Sequence, residues 1–167
     1  MKKLTWFWNF VHYSMFLFFK YAGNLITYPI IRLFNIDKVR NSYAKKDVTN
    51  PKEQITDALN SPIYGIRIMF AGAAMNILTL LLLFGVYNLL KILSVLQIGR
   101  LTTTAIIVII LTALMINYLL IFKDDTYLAY FKEYDALKKE NRVKNIIVSI
   151  VICALILSFS VLMFLAT

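Results

Sequence analysis

Charge is scarce in this 167-residue chain. Only 16% of its residues are Asp, Glu, Lys or Arg, against about 25% in soluble domains. There is one cysteine, Cys153, so no disulfide forms within the chain and a disulfide framework is excluded. There is one histidine, His12, with no carboxylate or thiol near it in sequence to complete a metal site. No glycine-rich phosphate loop, zinc motif or nucleophile elbow is present. No repeat or low-complexity segment breaks the chain. These absences leave no motif that identifies a reaction, and no cofactor is implied.

What is present is apolar: 60% of the residues are hydrophobic. Ile66–Ile92 carries charge only at its edges, on Arg67 and Lys91, and the stretches 101–122 and 145–166 carry none. About 20 apolar residues suffice for a helix to cross a roughly 30 Å hydrocarbon core. The expected fold is therefore all-α: a polytopic helical membrane protein with three transmembrane helices. Residues 62–167 form the bundle, 35–61 a basic segment with a short helix at 51–59, and 1–34 membrane-associated amphipathic helices. No charged residue lies deep within the three spans, which argues against a proton-driven pump or an electrogenic carrier.

The net charge of +9 is assigned to topology and to anionic headgroups on the cytoplasmic side of the bilayer rather than to nucleic acid. Basic residues cluster at 32–52 and 123–144, whereas the link between the first two spans offers only Lys91 and Arg100. The positive-inside rule then places both clusters in the cytoplasm and the C-terminus on the opposite side of a plasma or inner membrane. The start resembles a signal peptide, but Lys20 at the outer small-residue position disfavours cleavage, so the N-terminus is expected to be retained.

Helix punctuation agrees with this layout. Ser61 and Pro62 suit an N-cap and first helical position, and Asn50, Pro51 and Glu53 stand in capping order. Arg67 is expected to snorkel to the headgroups. In residues 125–144, Tyr127, Tyr130, Phe131 and Tyr134 share a face. That spacing predicts one amphipathic helix whose aromatic face rests on headgroups or docks on a partner. Asp124 and Asp125 read as a helix N-cap pair rather than a catalytic dyad.

The stretch from residue 4 to 21, "LTWFWNFVHYSMFLFFKY", holds eight aromatic rings before Lys20. On a helical wheel Thr5, Asn9, His12, Lys20, Asn24 and Thr27 form a polar arc opposite an aromatic and apolar back. Trp6, Trp8, His12 and Lys20 are thus expected at the membrane interface. The helix lies in that interface with its polar arc to water, or makes a fourth span with the arc facing the bundle. Pro29 is expected to end it.

Small and polar residues are candidates for helix packing, because lipid supplies no hydrophobic drive between helices. Gly65, Gly72 and Thr79 recur every seven residues beside Asn76. Ala105 and Thr112 share a face with Thr102, and Ser149, Cys153 and Ser160 share another. These three stripes are expected to meet, with Asn76 as hydrogen-bonding glue and Asn117 near the interface. The function that follows is non-enzymatic: association through helices, as an accessory subunit or a self-assembling component, with a protein partner or a second copy. The alternatives are a small oligomeric channel or transporter lined by Asn76, Thr79, Ser149 and Ser160, and, more weakly, a lipid-acting enzyme using His12 or Asp124 and Asp125.

Overall fold

A computed structural model describes residues 2–33, 51–93 and 102–166, together with Ile36. The expected basic residues at 37–50, the Asn50 cap, Arg100 and Thr167 lie outside the described residues. Within the described residues the chain is all-helical: α1 (Lys2–Leu33), α2 (Pro51–Asn60), α3 (Ile66–Ile92), α4 (Thr103–Asn117), α5 (Thr126–Asp135) and α6 (Lys139–Leu165). A π-helical segment (Tyr118–Phe122) and a tight turn (Lys123–Asp125) join α4 to α5. Three helical stretches are long and apolar enough to cross a membrane: Ile66–Ile92, Thr103–Asp135 and Lys139–Leu165. We take the apolar part of the second, α4 with its π segment, as the span proper. The long α1 is not in this set.

Local chemistry explains most boundaries, and several expectations change. Thr102 caps α4, its Oγ1 accepting the Ala105 N–H at 3.2 Å. Ser61 accepts from the N–H groups of Ile63 and Tyr64, but it caps a separate turn, and α3 begins only at Ile66. Gly65 serves that turn rather than helix packing: a Cβ there would stand 2.4 Å from the Ser61 carbonyl oxygen. Pro29 does not end α1, which runs on to Leu33. Leu25, whose carbonyl loses its N–H partner to Pro29, lies on the exposed side of the helix.

The amphipathic helix expected over 125–144 is divided. It ends at Asp135, the chain is extended at Lys138 (ψ 141°), and residues from Lys139 onward belong to the third span. Asp135 supplies the reason. Its carboxylate accepts from Tyr13 Oη and lies 3.9 Å from the Arg142 guanidinium, across the break between α5 and α6. Asp125 occupies the N-cap position of α5 but makes no side-chain cap bond. Both Asp124 (φ 54°) and Asp125 (φ 51°) instead take the left-handed conformation. Aspartate tolerates that region better than most residues, which lets the chain reverse without glycine.

The chain divides into two compact units, residues 1–14 with 73–167 and residues 15–72. In the second, the Arg67 guanidinium is the centre. It is buried and donates to the Lys20 carbonyl (3.0 Å), Asn24 Oδ1 (2.7 Å), Thr27 Oγ1 (3.2 Å) and Asn60 Oδ1. Gly23 leaves room for it, since a Cβ there would approach Arg67 Nε to 2.8 Å. The expected snorkelling does not occur because α1 and α2 already supply oxygens that satisfy the cation. Phe19 and Phe70 pack beside it with ring centroids 5.9 Å apart.

Candidate functional site: a polar node beneath an aromatic collar

The first unit is built around the start of α1. Residues 8 to 14 are all buried, seven in succession. Seven residues are about two turns, so this part of α1 is enclosed on every side. The polar arc therefore faces other helices rather than water. Asn9 and His12, two of its members, are fully buried.

Asn117 is the hub of the buried polarity. On α4 and its π extension, Ala113, Asn117 and Ile121 are buried at four-residue intervals, which defines the inward face. The Asn117 Oδ1 accepts from Trp8 Nε1 at 3.0 Å and from Thr79 Oγ1 at 3.1 Å. Its Nδ2 donates to Asn76 Oδ1 at 2.8 Å and to the Met75 carbonyl at 3.3 Å. One amide thus uses both donors and both acceptor positions to tie α1, α3 and α4 together. Asn9 adds a second tie. Its Nδ2 donates to the Thr5 carbonyl and, at 2.7 Å, to the Leu120 carbonyl. Leu120 lies in the π segment, just before the chain leaves the helix, where carbonyls run out of intrahelical donors.

Above this node the rings of α1 and α5 interlock. Trp6, Phe10 and Tyr13 each meet Tyr134, with centroids 4.7 to 5.4 Å apart. Tyr134 Oη donates to the Trp6 carbonyl at 2.5 Å, and Trp6 Nε1 donates to Glu133 at 2.9 Å. His12 lies within 5.7 Å of the rings of Phe122, Tyr127 and Phe131. Among the described residues, neither His12 ring nitrogen nor Asn9 Oδ1 has a hydrogen-bond partner. His12 stands outside the three spans, and burial among these rings pushes its pKa down to about 4. It is a neutral imidazole at pH 7. Burial, followed by the Asp135 carboxylate, holds the Tyr13 phenol protonated well above its ordinary range.

These contacts decide where the expected residues sit. Tyr127, Phe131 and Tyr134 are buried against α1 within the same chain, with Tyr130 half-buried beside Tyr134. That aromatic face rests neither on headgroups nor on a separate partner. Trp8 is buried, and Trp6 and Lys20 are half-buried. Among the packing candidates, Thr79 meets Asn117, and Ser160 Oγ donates to the Leu81 carbonyl at 2.8 Å. Ser149 receives a 3.3 Å bond from Ser14. Gly72 is buried, Asn76 and Cys153 are half-buried, and Ala105 is half-buried near its helix start. Thr112 is exposed and bonds only within its own helix, to the Val108 carbonyl. The α4 stripe through Ala105 and Thr112 is thus not a seam with the other two. The inward face runs through Ala113 instead.

Two residues that matter were missed. Asn117 passed for an interfacial residue because it lies near the end of an apolar run. Gly85 lies one residue off the seven-residue series of Gly65, Gly72 and Thr79, yet it is where α6 packs against α3. A Cβ there would come within 2.6 Å of Phe159 Cε1. A parallel series, Ala71, Leu78 and Gly85, is buried throughout and would have pointed to it.

Thr79, Ser149 and Ser160, expected to line a pore between copies, are turned toward helices of the same chain. Among the described residues no three His, Cys, Asp or Glu side chains gather as a metal-ligand set. No family model, curated protein or solved structure matches the chain.

Proposed function

We propose that this chain is an integral membrane protein that acts by association, as a self-assembling component or an accessory subunit, with its basic segments on the cytoplasmic side. One contrast carries the reading. Asn117, Trp8, Thr79 and Asn76 inside the first unit spend their polar groups on one another, whereas α4 and α6 carry small and hydroxyl-bearing residues on their outward faces. Thr112, Ala154 and Ser158 are exposed in mid-span. Ala154 and Ser158 are four residues apart, the spacing that lets helix backbones approach closely. Lipid tails gain nothing from such positions, but a second helix does. The burial of His12 among the rings of Phe122, Tyr127 and Phe131 supports a structural part for it rather than a catalytic one.

The test is crosslinking in native membranes. With Cys153→Ala as background, Ser158→Cys should form a disulfide-linked pair on mild oxidation, either with a second copy or with a defined partner. Leu162→Cys, one turn on along the same exposed side, should follow, and Ile156→Cys, which is buried, should not. A chain that stays a single copy by photobleaching counts in nanodiscs, and that crosslinks to nothing at Ser158, overturns the proposal.

A further inference from the structure

The ends of α3 and α6 enclose a cleft of about 480 Å³, within the range of small-molecule sites. Its walls include Phe84, Leu157, Val161 and Leu165, and its polar residues are Asn88, Lys91 and Ser160. The cleft exists because of what lies beneath it: Gly85 has no side chain, and Ser160 turns its hydroxyl down onto the Leu81 carbonyl. Lys91 stands in the last turn of α3. It forms no hydrogen bond or ion pair among the described residues. Both helices have 27 residues, or about 40 Å, against a hydrocarbon core of roughly 30 Å. In α6 the surplus is the polar stretch 139–145 at its start, whereas in α3 the charged Lys91 sets the last turn at headgroup depth, with the apolar walls reaching back into the acyl region.

We infer that this cleft is a binding site for one anionic phospholipid. An acyl chain lies along Phe84, Leu157 and Val161, and the phosphate is held by the Lys91 ammonium with the Asn88 amide as a second donor. The occupant follows from charge and depth together. A zwitterionic lipid would fill the same apolar wall but would gain less from an unpaired cation. A helix from a second chain would bury Lys91 without offering it an anion. The site lies within one copy of the chain and does not depend on whether copies associate.

The test uses the full chain in nanodiscs and two photoactivatable lipids that share a diazirine-bearing acyl chain, one a phosphatidylglycerol and one a phosphatidylcholine. Adducts are mapped by mass spectrometry. A single lysine near an anionic headgroup is worth about a fivefold preference. The phosphatidylglycerol probe should therefore label the 157–165 peptide about fivefold over its counterpart, and Lys91→Ala should bring the two to parity. Val161→Trp fills the cleft from an exposed position and should reduce labelling there by both probes, leaving the outer face of α4 unchanged. Equal labelling by the two headgroups in the unaltered chain would overturn the assignment, as would a preference that survives Lys91→Ala. So would capture of a polypeptide, in place of lipid, by a photoreactive side chain at position 161 in native membranes.

Discussion

Replacing Asn117 by leucine removes four hydrogen bonds at nearly constant volume, and the geometry says which loss is costly. Thr79 Oγ1 keeps its bond to the Met75 carbonyl at 2.9 Å. Asn76 is half-buried and can turn to other partners. Trp8 has no such recourse: its Nε1–H is buried and aimed at the lost oxygen. A stranded buried donor costs about 1–3 kcal/mol. Hydrogen bonds between membrane helices average about 0.6 and reach about 1.7 kcal/mol. Asn117→Leu should therefore destabilise the first unit by about 2 kcal/mol. Trp8→Phe should cost about 1 kcal/mol, because Asn117 keeps its other three partners. In the double variant no donor is stranded, so its cost should fall short of the sum by about 1 kcal/mol. The assay is unfolding by sodium dodecyl sulfate in mixed micelles, followed by far-ultraviolet circular dichroism for all four members of the cycle. If the two changes add to within about 0.3 kcal/mol, as independent sites do, the bond between Trp8 and Asn117 is not what holds α1 in place.

Three further outcomes follow from other parts of the structure. Gly85→Ala sets a methyl group against Phe159 and should cost about 1–3 kcal/mol in the same assay. Thr112→Leu, on an exposed face, should change stability by less than about 0.5 kcal/mol, and equal costs would refute the α3–α6 seam. For His12, burial holds the folded pKa at about 4, below the unfolded value near 6.5. The unfolded chain then binds the extra proton between these values. Stability should be intact above pH 6.5 and fall by about 3 kcal/mol as pH drops to 4. His12→Phe should flatten that profile, and an unchanged slope would assign it to other groups. Arg67→Lys cannot reach four oxygens with a planar fork. It should cost about 1–3 kcal/mol and raise amide exchange across 51–72, and protection identical to that of the unaltered chain would refute the Arg67 centre.

The three spans were legible because their signal is local. Ile66–Ile92 could be bounded to the residue, since apolar run length and flanking charge need no knowledge of the rest of the chain. The Ser61 and Thr102 side chains act where short-range capping rules operate, although Thr102 was read as a packing residue and Ser61 as the cap of α3. Packing partners were less legible. Seven-residue spacing located Thr79 and Ser160 but cannot choose between two adjacent registers, and the structure uses the one containing Gly85. The π segment was not legible at all. It shifts the phase of every residue after Asn117, so a face drawn with 3.6 residues per turn from Thr102 onward drifts away from the one observed.

The first helix shows why the rest could not be read. A wheel assigns a polar arc to water because, on a surface helix, water is the cheapest partner for an amide or an imidazole. That inference fails when another helix offers an unpaired carbonyl. The π turn presents the Leu120 carbonyl, and Asn9 Nδ2 donates to it. Trp8 finds its acceptor in Asn117, which the apolar setting of α4 had disguised as an interfacial residue. The arc met protein because α5 brought its rings to that side, where His12 and Tyr13 meet Phe131, whereas Phe18, Leu25 and Ile26 of the apolar back stay exposed. The two expectations therefore failed together and for one reason. The polar arc of α1 and the aromatic face of α5 each lacked a partner in sequence, and each is what the other half of the chain supplies. A reading that sends both to the membrane surface leaves His12 solvated and titrating near 6.5. A reading that joins them buries it and moves its proton loss to about 4. The pH profile of His12 therefore distinguishes an α1 that floats on lipid from one that is enclosed, without reference to any other contact.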